Sequence, residues 1–519
     1  MKKRGADFSE KQVKTVAPQD KKLSTSLDET CTDIRALMNN SADLIIKFAE
    51  TAGVKMAVVT CEGMIDKSNL ANLIYRPLIS NPPQGCKDAR ELFDSIAGKM
   101  FIAEEQKQLY TCSDVASAIM SGFAVLLCDG VDYALSIGIQ GYEHRGVEEP
   151  STHINLRASR EGFVEVVRTN MSMVRRRLKS PTLKTEMIQV GERSNTDVCI
   201  CYLTDRADIR IVNDIMDKLK NIPLNTILSS EFLQAFLEQS NSDLFSQIFV
   251  TERPDVFASK LYEGRIGVIV DGTPFALIVP GLFIENFHTM DDYTHRPYFS
   301  AFLRMLRFVA FILAVILPGL YVALCNFNPE MLRSSLLLNI YSSIQTTAYP
   351  VFGECLIMYI LYEIMREAGL RLPKSVGHAV SIVGGLVIGE ITVSAGLMSA
   401  PVVLIIAATG LCSLAVPDLY ESCMIMRLVF ILAGGAFGLY GITIVGVMLM
   451  FRLCSKNAYG VPYMAPFAPF TLKSVIRDTF VRVGWRVLSK SDVTVQQLSG
   501  KAKSTNAKER TITDEQDKQ

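Results

Sequence analysis

Hydrophobic and polar positions alternate in three different ways along the chain. Residues 1–40 carry no sustained period and read as a flexible polar segment. The pattern then becomes that of an α/β domain. LIIKFAE (44–50) has helical character, KMAVVTC (55–61) is a β-branched run, and SNLANLIYRPL (68–78) and SDVASAIMSG (113–122) have helical spacing. FAVLLCDGVDYALSIGI (123–139) is two apolar runs around Asp129-Gly130, a strong hairpin signal. A second region repeats this plan: VCICYLT (198–204) reads as a strand, ADIRIVNDIMDKLK (207–220) as a helix, and RIGVIVDGTPFALIV (265–279) as a second Asp-Gly hairpin. Gly122, Asp129, Gly130, Ala134 and Leu135 fall on Gly264, Asp271, Gly272, Ala276 and Leu277, all 142 positions later, and Val58 and Val59 fall on Ile200 and Cys201 at the same offset. One offset shared by strand and hairpin predicts two similar α/β subdomains in tandem. Between them, residues 160–180 form a basic amphipathic helix. Its Arg175, Arg176 and Arg177 are either a solvated face or a subunit or domain contact.

From residue 308 the pattern changes again. Residues 308–451 hold 12 charged side chains in 144 positions. Phe308–Pro329 is free of charge for 22 residues, and Leu428–Phe451 for 24. Each exceeds the roughly 20 apolar residues that a membrane span requires. Val351–Met365 is apolar apart from Glu354 and Glu363. Ser375–Gly389 continues past Glu390 into the charge-free Ile391–Pro417, divided at Ala400-Pro401. Arg304 and Arg307 precede the first span, Arg366, Arg371 and Lys374 follow the second, and residues 452–490 hold seven Lys/Arg against Asp478 alone. Basic flanks mark the cytoplasmic side. Both ends therefore belong inside, the acidic loop 417–427 outside, and 376–416 crosses once with its second half re-entrant or broken near Pro401. This predicts four full spans, or six if Asn339–Tyr349 conceals another. Trp485, the only tryptophan, lies on a basic amphipathic stretch that either rests on an anionic leaflet or packs beneath the protein.

Composition narrows the function classes. The 53 basic and 53 acidic side chains cancel, so no excess positive field exists to bind nucleic acid. The 12 cysteines are scattered without metal spacing; Cys199 and Cys201 share a strand face and read as core. No apolar run follows the basic N-terminus, so residues 1–300 are expected in the cytoplasm. No phosphate loop, HExxH or GxSxG pattern is present, which predicts no enzymatic activity and no cofactor or metal. The two Asp-Gly pairs are turns. The expected architecture is thus a flexible segment (1–40), a first cytoplasmic α/β subdomain (41–150), a linker with a basic helix (151–190), a second α/β subdomain (191–295), an α-helical polytopic transmembrane domain (300–455) and a cytoplasmic tail (456–519).

Ionisable groups inside apolar segments are costly and face water or a partner. Glu363, Arg366 and Glu367 are spaced for a local ion-pair cluster, and Glu354 for an interfacial position. Glu390 is deepest, with Thr392 and Ser394 on the same segment. These three are candidate pore-lining residues, the alternative being a helix interface. Gly385, Gly389 and Gly396 are candidates for close helix packing, and Gly434, Gly435 and Gly438 read as packing in the last span.

TERPDVFASKLYEGRIGVIVDGTPFALIVP (251–280) resembles the signature of the GerA family, the A subunits of spore germinant receptors. GVEEP with REGFVE, RTNMSMVRRRL, LPGLYVAL, YEIMREAGLRLP and VGGLVIGEITVSAGLMSAP extend the resemblance in family order from about residue 120 to 470. Arg157-Ala158-Ser159-Arg160 departs from the family's Arg-Gly-Pro-Arg element. The resemblance implies the inner membrane of a dormant spore, with both termini on the core side. It further implies work with a transporter-like B subunit and a lipoprotein C subunit, and self-assembly, as a ring, into a nutrient-gated channel for monovalent cations in the lipid bilayer. An accessory spore channel of the same family and a secondary transporter are the alternatives.

Overall fold

The computed structural model describes residues 21–80, 88–99, 106–141, 159–239, 243–372, 385 and 389–468, with the single positions 479 and 495. The expectations for residues 1–20, Arg157-Ala158, most of 373–388 and the tail around Trp485 lie outside this range; within the segment 1–40 expected to be flexible, Leu27–Leu37 is instead a helix whose apolar face is buried. The chain divides into two compact units, one of residues 1–154, 159–237 and 250–279 and one of residues 155–158, 238–249 and 280–519.

The first unit is built on two five-stranded sheets of the same topology. β1 (Leu44–Thr51), β2 (Val54–Cys61), β3 (Gln106–Leu109), β4 (Phe123–Cys128) and β5 (Ala134–Gly138) lie in the order β1-β2-β4-β5-β3. β6 (Leu183–Val190), β7 (Thr196–Leu203), β8 (Phe249–Thr251), β9 (Ile266–Val270) and β10 (Ala276–Val279) lie in the order β6-β7-β9-β10-β8. LIIKFAE is therefore a strand, not a helix. Residues 44–51 pair with 54–61 across a two-residue turn in which Ala52 and Gly53 have φ of 52° and 81°. Two left-handed residues make the tight turn that matches strand twist, and a short apolar run cannot by itself distinguish strand from helix.

Successive residues of β2 feed opposite layers, as the two-residue strand period requires. Ala57, Val59 and Cys61 pack with helices α1 (Leu27–Leu37) and α5 (Cys112–Met120). Met56 and Val58 pack on the other face with Ile74, Leu78, Phe93 and Ile96. The latter four come from the helical stretch α2 (Lys67–Asn69), a π-helical turn (Leu70–Tyr75), α3 (Arg76–Ser80), and from α4 (Ala89–Lys99). The second half carries α6 (Val167–Arg177), α7 (Ile209–Lys220), α8 (Ser230–Leu237) and α9 (Pro254–Tyr262). α6 is shorter than the predicted 160–180 helix.

The repeated Asp-Gly turns have the same local task in both halves. The Asp129 carboxylate accepts from the backbone N–H of Leu27 at 3.1 Å, and Gly130 N–H donates to the Thr25 carbonyl at 2.8 Å. The Asp271 carboxylate accepts from Val167 N–H at 3.0 Å, and Gly272 N–H donates to the Glu165 carbonyl at 2.7 Å. Each turn thus caps the first turn of the helix that opens its own half, where backbone N–H groups lack intrahelical partners. The glycines have φ of 86° and 88°, a region that favours glycine.

The second unit is helical: α10 (Asp291–Thr294), α11 (Pro297–Asn326), α12 (Ser334–Ile344), α13 (Val351–Arg371), α14 (Ala400–Leu414) and α15 (Tyr420–Ser455). Among the described residues two stretches are long and apolar enough to cross a membrane, Pro297–Asn326 and Pro417–Ser455, so length and composition do not reach the expected four. Large apolar side chains point outward along these helices, among them Phe302 on α11, Leu404 and Leu411 on α14, and Val447 and Phe451 on α15.

α15 is not one straight rod. At Gly438 the backbone has φ 61° and ψ −144°, outside the helical region. A Cβ on Gly441 would lie 2.4 Å from the Ala433 carbonyl oxygen, a separation a continuous helix would hold several times larger. At the far ends, Ser422 donates to the Leu244 carbonyl, while Lys456 donates to the neighbouring Phe245 carbonyl at 2.9 Å and pairs with Asp243 at 3.3 Å. Residues 420–437 and 439–455 therefore form an antiparallel hairpin, each arm about 25–27 Å long. The charge-free run Leu428–Phe451, expected as one span, straddles the bend. Glycine makes the other close approach as well. A Cβ on Gly319 would lie 2.3 Å from the Phe430 carbonyl and one on Gly434 2.4 Å from the Gly319 carbonyl, so α11 and α15 meet backbone to backbone.

Candidate functional site

The segment carrying Glu390 is a broken helix. It is helical to Ser394 and ends in Gly396, at φ 66°. Leu397 N–H donates to the Thr392 carbonyl at 3.0 Å and Gly396 N–H to Val393 at 3.0 Å, the paired bonds of a glycine-terminated helix. Ser399 then occupies the N-cap position of α14, with proline in the first turn. Gly396 is thus a turn residue, and a Cβ there would also lie 2.9 Å from the Thr346 carbonyl.

Glu390 and Ser394 are exposed on this segment, four positions apart and hence on one helical face. Ser394 Oγ donates to the Ile391 carbonyl at 3.2 Å. Thr392 is buried on the opposite side, so the three candidates do not share one face. Gly385 and Gly389 leave room for a methyl group, the nearest atoms lying 3.9 Å away on Met365 and 3.8 Å away on Val403. A close backbone approach between helices is instead made by Gly319 and Gly434.

The structure buries two ionic groups, Arg427, expected in a loop, and Glu354, expected at an interface. Arg427, expected in an external loop, is fully buried within α15. Its Nε donates to the Ala314 carbonyl at 2.8 Å, and its Nη2 donates to Ser413 Oγ. Ala314 precedes Pro318 by four residues, and proline has no N–H to donate, so the guanidinium supplies the bond that α11 lacks. Arg427 also pairs with Glu363 at 3.4 Å. Glu363 in turn accepts from Arg366 at 3.2 Å and from the Tyr420 hydroxyl at 2.5 Å. The expected Glu363–Arg366 pair exists, but it is part of a network joining α11, α13, α14 and α15.

Glu354 is the second group. It lies buried in the first turn of α13, and one carboxylate oxygen accepts from Ser399 N–H at 3.1 Å and Ser399 Oγ at 2.6 Å. The only sequence signals for these networks were a proline within an apolar helix and the ionisable residues themselves, since partners 45 and 64 positions apart leave no local trace.

The sequence matches the profile of the Bacillus/Clostridium GerA spore germination protein family over residues 32–493. The chain belongs to the GerA family. It is 36% identical over 470 residues to the spore germination protein KA of Bacillus subtilis strain 168, covering 89% of this chain and 85% of that one. It is 32% identical over 485 residues to the uncharacterized membrane protein YfkQ of the same strain, covering 93% and 94%. Among solved structures, the N-terminal domain of the A subunit of the Bacillus megaterium spore germinant receptor GerK3 is 30% identical. That match covers 51% of this chain and 98% of that one, with a TM-score of 0.40.

The arginine run of this GerA-family chain lies in the first unit. Arg175 is buried and grips Asp43 through Nε at 2.7 Å and Nη2 at 3.0 Å, while also donating to the carbonyls of Ser180 and Leu183. Asp43 accepts further bonds from Ser41 and Thr185. Burial pushes the Asp43 carboxyl up, but the Arg175 guanidinium and the hydrogen bonds from Arg175, Ser41 and Cys61 hold it below the usual carboxylate range. This network ties the start of β1 in the first half to α6 and β6 of the second. Arg176 and Arg177 pair with Glu161, and Arg177 also donates to Ser159 at 3.0 Å. All three arginines thus have partners within the chain.

Proposed function

We propose that this chain is a germinant-receptor A subunit that assembles as a ring and conducts monovalent cations across the spore inner membrane when a nutrient is sensed. It would act with transporter-like B and lipoprotein C subunits, and the role requires no catalytic group. Family membership supports the receptor-type role. The observation that carries the conducting role is Glu390, a carboxylate exposed on a broken helix of an apolar bundle. Among the described residues it has no hydrogen-bond or ion-pair partner. Such a charge is costly in lipid, and a ring repeats it once per subunit around a shared axis, where carboxylates attract cations. Ser394 shares its face and would line the same path; Thr392 would support it from behind.

The proposed topology has six crossings with both termini on the spore-core side: α11, α13, the segment ending at Ala395, α14 and the two arms of α15. Contacts at opposite ends of the bundle support it. Glu363, Ser413, Tyr420 and Arg427 meet at one end. Glu354 meets Ser399 at the other, and Gly438 meets Phe327 at the exit of α11. The loop 417–427 then lies inside. The arms and α14 are short for a 30 Å hydrocarbon core, a mismatch that local thinning accommodates.

Reconstituting the purified oligomer in liposomes tests the conducting role. Glu390→Gln keeps shape and removes charge. It is expected to assemble normally and to lose cation flux, or cation preference over anions, by about tenfold or more. Unchanged rate and selectivity would make Glu390 structural.

A further inference from the structure

The second oxygen of Glu354 is the most conspicuous unspent group in the helical unit. Glu354 has no solvent exposure, and while one oxygen is held by Ser399, Oε1 has no hydrogen-bond partner among the described residues. The hydroxyl of Tyr321 on α11 is likewise buried. It neighbours Ser399 and Cys325 at loose hydrogen-bonding range, with Glu354 within electrostatic reach. The Tyr321 hydroxyl therefore lies beside Ser399, the residue that holds the other Glu354 oxygen, at the seam where the broken helix restarts as α14. An orphaned carboxylate oxygen in a dry interior costs several kcal/mol, so something must satisfy it.

The donors point to a hard cation. Glu354 sits in the first turn of α13, whose N-cap is Pro350, and is bonded to Ser399, the N-cap of α14. Two helix N-termini, where negative charge is favourably placed, therefore meet at this carboxylate. The donors are hard oxygens, which select alkali and alkaline-earth ions over soft metals. A single carboxylate is too little charge for a divalent ion, and no cluster of three His, Cys, Asp or Glu occurs among the described residues. Discontinuous helices within a bilayer are also where membrane proteins place coupling-ion sites.

We propose that Glu354, Tyr321 and Ser399 form a buried binding site for a monovalent cation, separate from the Glu390 face, whose occupancy stabilises the broken-helix seam. The proposal does not depend on conduction, because its test reads binding alone.

The test uses the full chain in detergent, with thermal-unfolding midpoints taken in NaCl, KCl and choline chloride at equal ionic strength. Sodium or potassium is expected to raise the midpoint by about 2–4 °C over choline, saturably with concentration. Glu354→Gln removes the charge and should abolish the difference. Tyr321→Phe removes one oxygen but keeps the ring, and should move the half-saturating concentration upward by about tenfold. If Glu354→Gln does not fold, the Tyr321→Phe displacement alone decides. Equal midpoints in all three salts for the unaltered chain overturn the proposal, leaving a buried water or a proton on Glu354. An alkali-ion effect that persists unchanged in the variants overturns it equally, since the ion then binds elsewhere. Loss of flux in Glu390→Gln with the midpoint shift retained would separate this site from the conduction path.

Discussion

Arg427 shows how a single side chain can repair a defect in a neighbouring helix. Pro318 leaves the Ala314 carbonyl without its intrahelical donor, and the Arg427 guanidinium fills that place while holding Glu363. Arg427→Lys cannot reach the carbonyl, Ser413 and Glu363 together, because an ammonium lacks the planar fork. The variant is expected to lose about 2–4 kcal/mol of stability, read as a lowered unfolding midpoint in detergent. Pro318→Ala restores the missing N–H. The double variant should therefore be less damaged than the sum of the two single ones, and a double-mutant cycle measures that coupling; strict additivity would detach Arg427 from the proline. In the sequence Arg427 counted only as one charge near an acidic loop. Its true surroundings come from residues on three other helices, and no spacing rule links them. Glu390, by contrast, stands out in the sequence because a carboxylate beside a charge-free stretch is conspicuous whatever its role.

At the scale of elements, patterns confined to one segment survived and patterns requiring a partner did not. The Asp-Gly turns and their shared offset were visible because turn chemistry is local. Their second task, capping a helix about a hundred residues away, was not. LIIKFAE is a strand because β2 pairs with it across Ala52-Gly53, information that an isolated apolar run does not contain. The α15 hairpin is the sharpest case. Hydropathy sees a long unbroken run, whereas one glycine at φ 61° folds it in two. Cysteine labelling distinguishes these geometries. In a cysteine-light background and oriented vesicles, Glu421→Cys and Ser455→Cys are expected to label from the same face. Tyr440→Cys, near the tip, should not label from that face. A straight span would put positions 421 and 455 on opposite faces.

For the whole molecule, the duplicated α/β halves have identical strand order, and the Arg175–Asp43 network fastens one to the other. Asp43 is held below its ordinary value in the folded chain, against about 3.9 when unfolded. Its stabilisation is therefore complete above about pH 4 and is lost as pH falls through the folded value, since the unfolded state takes up the proton first. Asp43→Asn should lower stability at neutral pH and flatten its fall on the acid side, measured by unfolding at a series of pH values between about 2 and 7. An unchanged acid slope would assign acid lability to other carboxylates. The duplication was legible in the sequence through its constant offset. The fastening was not, because Arg175 looked like one of three equivalent surface arginines until the fold buried it.

The bend at Gly438 also bears on how such a chain is made and how it changes over generations. A hairpin enters and leaves a bilayer on the same face, so it can be inserted, trimmed or lost as a block without inverting anything that follows. Straightening it is a different kind of event. In the proposed topology, a side chain at position 438 that forced the two arms into one rod would remove a single crossing and carry the C-terminal tail to the opposite compartment. Glycine there keeps the proposed number of crossings even.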